Sequence, residues 1–312
     1  MDLSVIIVCY KGWDRLSECL EALDAFTLTS FSMEVIAVDN NSGDGRIDDF
    51  ESKFSRFRFI KSLINGGYAY GCNLGAAIAA GDVLMMLNPD TIVKEEAIGK
   101  LLEHAQMHPE YFIISCRQIG ENGKEIKAAG EFPGISSGGI TKRKSENFVS
   151  FPDWVSGSLM MIRKETFQNL NGFDESFWMY LEDVDICLRA RNSGGEIAFY
   201  NDAVIKHVHG GSTRINLQTT SITKSEVQIS RHLYIHKHLR GLKRIIYQTL
   251  IITDNLVTGI ITGISGLILF FVPKLFVRLL ILLRLIEYYA GSLFRRSWMS
   301  PRSVKFKVAD RL

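Results

Sequence analysis

From residue 3 to about residue 116, short apolar runs alternate with stretches of helical spacing, and this alternation constrains the fold more than any other feature. Such a pattern belongs to parallel strands joined by crossover helices, because a strand covered on both faces must be apolar on both. Strands are predicted at Leu3 to Cys9, Glu34 to Val38, Phe57 to Ile60 and Val83 to Leu87. A helix is predicted over Trp13 to Phe26, with Leu16, Cys19, Leu20 and Leu23 on one face, and a small-residue helix over Leu74 to Ala80. The expected class is α/β, a Rossmann-like and mostly parallel sheet. Ligands of such sheets bind beyond the carboxyl ends of the strands.

The residues just past those ends are polar: Tyr10-Lys11, Asp39-Asn40-Asn41-Ser42 and Asn88-Pro89-Asp90-Thr91. Asp39 places a carboxylate and a turn where a base N–H or a ribose hydroxyl could donate to it, although Asp, Asn and Ser also form such turns for local bonding alone. Asn65-Gly66-Gly67-Tyr68-Ala69-Tyr70-Gly71-Cys72-Asn73-Leu74-Gly75 is a glycine-dense turn leading into a helix, where free backbone N–H groups suit phosphate. It matches neither GxGxxG nor the P-loop pattern, which argues against a dinucleotide or a conventional ATP site. Close packing of helix on strand explains the glycines equally well.

Asp90 is the first metal-ligand candidate, since a hard divalent ion bridging diphosphate oxygens takes oxygen ligands. Tyr180 to Arg189 carries three carboxylates at a helix start: Glu182, Asp183 and Asp185. There Asp183 could remove a proton from an attacking hydroxyl, Glu182 could position the acceptor, and Asp185 could pair with Arg189 one turn on. His207, with His209 as the alternate, stands at a strand end before Gly210-Gly211-Ser212 and could complete a metal site or bind diphosphate.

Residues 117 to 150 are rich in Gly, Ser and Lys and suggest a mobile loop or an irregular hairpin; an ordered block from Trp154 to Ser212 comes next. The expected division is a catalytic domain over 1–240, with 1–116 and 151–212 as its halves, and a helical tail over 241–312. Asn255 to Pro273 has no charged residue, and Leu275 to Phe294 is apolar nearly all round with Lys274, Arg278, Arg284 and Arg295-Arg296 along it. That pattern implies attachment to a membrane, as a spanning hairpin or lying in the interface, with a purely soluble helical subdomain as the alternative. A net charge of +2 gives no reason to expect nucleic acid as a partner. Cys9, Cys19, Cys72, Cys116 and Cys187 show no metal-type spacing and read as reduced core residues, and the N-terminus lacks the pattern of a signal peptide.

Taken in order, these segments resemble family 2 glycosyltransferases, in particular the rhamnosyltransferase-like members of surface-polysaccharide pathways. Val38-Asp39-Asn40-Asn41-Ser42 resembles the nucleotide-binding motif, and Asn65 to Gly75 the glycine-rich segment after it. Asn88-Pro89-Asp90 stands where the family has DxD, Trp154-Val155-Ser156-Gly157-Ser158 resembles the segment lining the donor and acceptor cleft, and His207 to Ser212 resembles HxxGxS. Asn88 replaces the first aspartate of DxD and so removes one negative charge from the metal site.

The resemblance implies the A-type glycosyltransferase fold and inversion at the anomeric carbon. Asp183 would be the catalytic base, assisted by Glu182. Asp39, Asn41, Asn65, Gly71, Asn73, Asn88, Trp154 and Gly157 would line the site of a nucleotide-diphospho-sugar donor, with dTDP-rhamnose leading. Asp90 and His207 would hold Mg2+ or Mn2+. The acceptor would be a lipid-linked saccharide at the cytoplasmic face of the cell membrane. The alternatives are transfer to polyprenyl phosphate and an inactive nucleotide-sugar-binding scaffold.

Overall fold

The computed structural model describes residues 1–133, 148–208 and 216–309. The chain forms two compact units, one of Met1–Asp174 with Asp183–Ser212 and one of Glu175–Glu182 with Thr213–Leu312.

The first unit begins as the apolar alternation requires. β1 (Leu3–Cys9) is buried along its whole length, and α1 (Trp13–Asp24) packs Leu16, Cys19, Leu20 and Leu23 inward. Next come β2 (Met33–Asp39), α2 (Ile47–Lys53), β3 (Arg58–Lys61), α3 (Tyr68–Ile78), β4 (Val83–Leu87), β5 (Thr91–Ile92), α4 (Glu95–Met107) and β6 (Tyr111–Ile119). The chain continues through β7 (Glu125–Ile126), β8 (Ala129–Gly130), β9 (Val149–Ser150), β10 (Trp154–Val155), β11 (Leu159–Arg163), α5 (Lys164–Asn169), α6 (Glu182–Asn192) and β12 (Glu196–His207).

The main sheet runs β3-β2-β1-β4-β11-β6-β12-β5. Its β3-β2-β1-β4 half is parallel throughout, so the carboxyl ends of β1, β2 and β4 share one edge. Because the chain winds one way from β1 to β2 and β3 and the other way to β4, that edge carries a topological switch point, where such sheets bind ligands. β11 lies antiparallel between β4 and β6, and β12 runs parallel to β6. The short β5 pairs antiparallel with the end of β12, which sets Thr91 opposite His207.

Two local expectations shift. α3 starts at Tyr68 rather than at Leu74, and Gly67 with φ 89 makes the turn into it. Its glycines lie inside the helix because the helix sits close on β1: a Cβ on Gly71 would come 2.6 Å from Val8 Cγ1, and one on Gly75 2.5 Å from Ile6 Cγ2. Close approach thus outweighs the poor helix propensity of glycine. Residues 117–119 extend β6, and the chain then turns at Gly120 to Gly123 into β7, with Gly120 N donating to Lys124 O at 2.8 Å.

The second unit is helical. α7 (Leu217–His238) opens with a reciprocal cap, in which Asn216 Oδ1 accepts from Thr219 N at 2.9 Å and Thr219 Oγ1 accepts from Asn216 N at 3.0 Å. After it come α8 (Gly241–Ile268), α9 (Pro273–Arg295) and α10 (Val304–Ala309). The uncharged run from Asn255 to Pro273 is therefore not one helix. Its first part completes α8, the chain turns over 269–272, and Pro273 begins α9, where its fixed φ and missing N–H cost nothing. α8 and α9 approach closely through Gly259, Gly263 and Gly266; a Cβ on Gly266 would lie 2.3 Å from Leu275 O. Ile229, Leu285 and Tyr288 form the buried apolar centre of this unit. Beside it, fully buried His232 pairs with Gln248, and its Nε2 lies 3.0 Å from Tyr289 Oη, to which Asn255 Nδ2 donates at 2.7 Å.

Candidate active site

At the end of β2, Asp39 is buried and its Oδ1 accepts from Ser42 N at 2.9 Å. Ser42 Oγ in turn accepts from Lys11 N at 2.9 Å, so the ends of β1 and β2 are tied together. Lys11 and Asn41 both take left-handed backbone, at φ 57 and φ 62, which is uncommon for residues with a side chain and recurs at functional edges. Asn41 is exposed, and its amide donates to Leu63 O at 3.3 Å.

Its neighbour Asn40 is buried and holds the glycine-rich loop. Asn40 Nδ2 donates to Asn65 Oδ1 at 3.2 Å and to Gly67 O at 3.1 Å, while its Oδ1 accepts from Gly66 N at 3.2 Å. Asn65 Oδ1 also accepts from Gly67 N. On α3, the Asn73 amide clasps the backbone of Phe173 in both directions, at 2.9 and 3.0 Å. Asn73 therefore anchors the loop after α5, and Gly71 provides the close approach to β1.

After β4, Asn88 N donates to Ser158 O at 3.0 Å, and Thr91 N and Oγ1 both donate to Asn88 O. This tight turn buries Asp90, and the pairing of β5 with β12 brings His207 to it: Asp90 Oδ1 lies 3.2 Å from His207 Nε2. The other ring nitrogen, His207 Nδ1, is 2.9 Å from Gln118 Oε1, and Gln118 Nε2 donates to Ser158 Oγ at 2.7 Å. In the tautomer that donates Nδ1–H to Gln118, Nε2 faces Asp90 as an acceptor. A carboxylate oxygen and an imidazole lone pair are both acceptors and repel unless a cation or a proton lies between them.

Asp90 Oδ1 is buried without a hydrogen-bond partner among the described residues, which suits an atom placed to ligate a cation. Adjacent ligands of an octahedral divalent ion with bonds near 2.1 Å stand about 3 Å apart, close to the separation here. The two residues fit such an ion. No group of three or more His, Cys, Asp or Glu that could hold a metal ion converges among the described residues. His209 and Gly210-Gly211-Ser212 lie outside the described residues.

Asp183 sits in the first turn of α6. Its Oδ2 accepts from Gly157 N at 3.0 Å and its Oδ1 from Val184 N at 2.8 Å. Some of the residue's surface is open, yet the carboxyl is closely surrounded by protein. Desolvation raises its pKa above the ordinary 3.8, and the two backbone donors offset only part of that rise. Gly157 O accepts from Tyr68 Oη at 2.6 Å, and a Cβ on Gly157 would sit 3.2 Å from the Tyr68 ring, so Tyr68, Gly157 and Asp183 form one packed line. Glu182 is buried at the first position of α6. The chain enters that helix through Tyr180 and Leu181 in left-handed backbone, φ 70 and 65. Asp185 forms the i,i+4 pair with Arg189 at 2.8 Å, and Arg189 also donates to Leu170 O and Gly172 O. Trp154 donates through Nε1 to Glu131 O at 2.9 Å and lies against Gly130.

Gln118 lies outside the segments singled out in the sequence, whereas Asn40, Tyr68 and Ser158 lie inside them without being named as site residues. Gln118 carried a signal: it is a polar residue in an apolar strand, and a buried amide of that kind needs partners. All five cysteines are free and buried, and burial pushes the Cys9, Cys19 and Cys116 thiols up to about 12, so none of these three is a ready nucleophile.

The profile described as Glycosyl transferase family 2 matches residues 4–189. Rhamnosyltransferase WbbL of Escherichia coli is 31% identical over 211 residues, covering 61% of this chain and 77% of that protein. The N-acetylglucosaminyl-diphospho-decaprenol L-rhamnosyltransferase of Mycobacterium tuberculosis is 26% identical over 239 residues, covering 68% and 77%. Among solved structures, GalNAc-T7 with UDP, GalNAc and Mn2+ superposes with TM-score 0.55 at 17% identity, over 73% of this chain and 48% of that one, which shows a shared fold over about half of GalNAc-T7. With its parallel β3-β2-β1-β4 half-sheet and its polar carboxyl edge inside the matched region, the chain belongs to glycosyl transferase family 2 and is a glycosyltransferase of A-type fold.

Proposed function

We propose that this chain transfers a sugar, with rhamnose from dTDP-rhamnose as the leading donor, to a hydroxyl of a lipid-linked saccharide, inverting the anomeric carbon. The observation that carries the reading is the Asp183 carboxylate, held by two backbone N–H groups in surroundings that raise its proton affinity. A base with a raised pKa is better matched to a hydroxyl proton than an ordinary aspartate. The rhamnosyltransferases among its relatives support rhamnose, and the decaprenol in one relative's name supports a lipid-linked acceptor.

In this mechanism Asp183 takes the proton as the acceptor oxygen attacks the anomeric carbon. The bond from that carbon to the diphosphate oxygen breaks in the same displacement, and the nucleoside diphosphate leaves with both electrons. No covalent enzyme intermediate forms. Asp90 and His207 would hold Mg2+ or Mn2+, which when bound offsets negative charge growing on the diphosphate. Asp39 accepts from the nucleoside, the loop from Asn65 with Asn40 behind it shapes the floor of the site, and Glu182 positions the acceptor. The exposed apolar surface of α8 supports work against a membrane, and the free buried cysteines support its cytoplasmic face.

The test is transfer of labelled sugar from a panel of nucleotide donors into a lipid extract with Mg2+ or Mn2+, comparing wild type with Asp183→Asn. Transfer from one donor that the variant loses supports the base and identifies the sugar. A variant that keeps near-normal transfer would remove the centre of the mechanism.

A further inference from the structure

We propose that α8 and α9 form an in-plane anchor that lies flat in one leaflet of an anionic bilayer and does not cross it. This rests on the membrane-side part of the proposed function and specifies how the chain meets the membrane. α8 is long and apolar enough to cross by length and composition, at 28 residues with a mean hydropathy of 1.5 over an 18-residue stretch within it. Its charge placement argues otherwise. Asp254 is exposed at the midpoint of α8, and a crossing centred on the helix would carry that carboxylate to the middle of the hydrocarbon, among the costliest positions for it. α9 has the same difficulty, with Arg284 at its midpoint and exposed Glu287 one turn on. The longest uncharged run within α8, 255–268, gives about 21 Å of helix against a hydrocarbon core of about 30 Å.

The exposed apolar side chains of α8 point to the alternative. Leu242, Ile246, Leu250, Val257, Ile261, Ile264 and Ile268 all have large exposure and run the length of the helix. At about 100° per residue the exposed apolar positions of α8 fall within about 160° of its circumference, with Lys243 and Asp254 on the rim. The opposite side is occupied, since Gln248, Asn255, Gly263 and Gly266 are buried within the unit. Tip-first insertion would leave Leu242 to Leu250 in water and would carry exposed Lys274, at the start of α9, deepest of all. A flat orientation buries the whole stripe of α8 and leaves Lys243 and Asp254 at its rim, near headgroup level.

The charge balance selects the lipid. From 241 to 296 the basic residues are Lys243, Arg244, Lys274, Arg278, Arg284, Arg295 and Arg296, and the acidic ones are Asp254 and Glu287 alone. Such an excess beside an apolar stripe favours anionic headgroups.

The test uses the full chain with single cysteines introduced by Ile246→Cys, Val257→Cys, Ile264→Cys and Ile268→Cys, each labelled with an environment-sensitive dye at neutral pH. Vesicles of phosphatidylcholine, with or without phosphatidylglycerol, carry quenchers at shallow or deep acyl positions. The expected result is one shallow depth for all four labels and binding about tenfold weaker or more without phosphatidylglycerol. Ile261→Asp with Ile264→Asp should lose about tenfold in vesicle binding while leaving the melting temperature unchanged, because both side chains are exposed. A steady increase in depth from Ile246→Cys to Ile268→Cys would overturn the flat anchor and leave membrane attachment standing. Equal binding to both vesicle types would overturn the anionic preference. Absence of vesicle binding in the full chain would remove attachment altogether, and the separate sugar-transfer assay would still judge the catalytic reading.

Discussion

In the proposed mechanism Asp183 carries two opposing demands, since its ionised form is needed to accept a proton while its surroundings favour the protonated form. Because desolvation raises its pKa, the acid limb of the rate profile should have its midpoint above the ordinary aspartate value of 3.8, with activity lost as the pH falls through it. The sign for stability is the reverse. The folded chain binds this proton more tightly than the unfolded chain, so the contribution of Asp183 to stability declines as the pH rises from about 3.8 through the raised value. Asp183→Asn should therefore lower transfer by about 10²- to 10⁴-fold without lowering the melting temperature at neutral pH. Steady-state rates and a thermal melt on the same preparation check both parts. A second residue acts through its neighbour: Gln118 fixes the His207 ring so that Nε2 faces Asp90. Gln118→Leu should weaken Mn2+ binding, read directly by electron paramagnetic resonance of free Mn2+, by about 10- to 100-fold, and Gln118→Glu should restore part of it because an acceptor returns. Unchanged Mn2+ affinity in Gln118→Leu would remove Gln118 from the site. Asp90 and Asp183 could be picked out in the sequence because a carboxylate past a strand end or at a helix start is conspicuous. Gln118 and Ser158 could not be linked to them, because the sheet pairing that joins residues so far apart in the chain is not written in local spacing.

At the scale of elements, β1 and β4 could be read residue for residue, since an apolar run bounded by polar residues has sharp ends. α2 escaped because seven residues make barely two turns and show no period. α3 was misplaced because its glycines speak locally for a turn, while the fact that decides the matter, the nearness of β1, is tertiary. The closeness of that packing can be measured. Ile6 is fully buried and β-branched, so it cannot swing away from a Cβ placed 2.5 Å from its Cγ2. Gly75→Ala should therefore destabilise the chain by about 1–3 kcal/mol despite alanine's better helix propensity, as read by urea unfolding. A stabilised variant would show that α3 can move off β1 and that the glycine serves another purpose.

At the scale of the whole molecule, the sequence suggests a catalytic domain ending near 240, because charge and hydropathy change there. The second unit nevertheless includes α7, whose inward face depends on residues beyond 240. Ile229 packs with Leu285 and Tyr288, His232 pairs with Gln248 and stacks on Trp298 at 5.0 Å, and buried Glu226 meets Arg302 at 3.0 Å. Composition along the chain reports surface character and cannot report which helix covers another, so this dependence was hidden from a sequential reading. A chain ended after Leu239 would expose Ile229 and leave Glu226, whose carboxyl burial pushes toward the protonated form, without its arginine. Its α7 should lose protection, so that amide exchange across Leu217–His238 accelerates and the shortened chain aggregates at concentrations where the full chain stays dispersed. If α7 in the shortened chain keeps the protection it has in the full chain, its stability does not come from α8 and α9, and 240 is a true domain boundary.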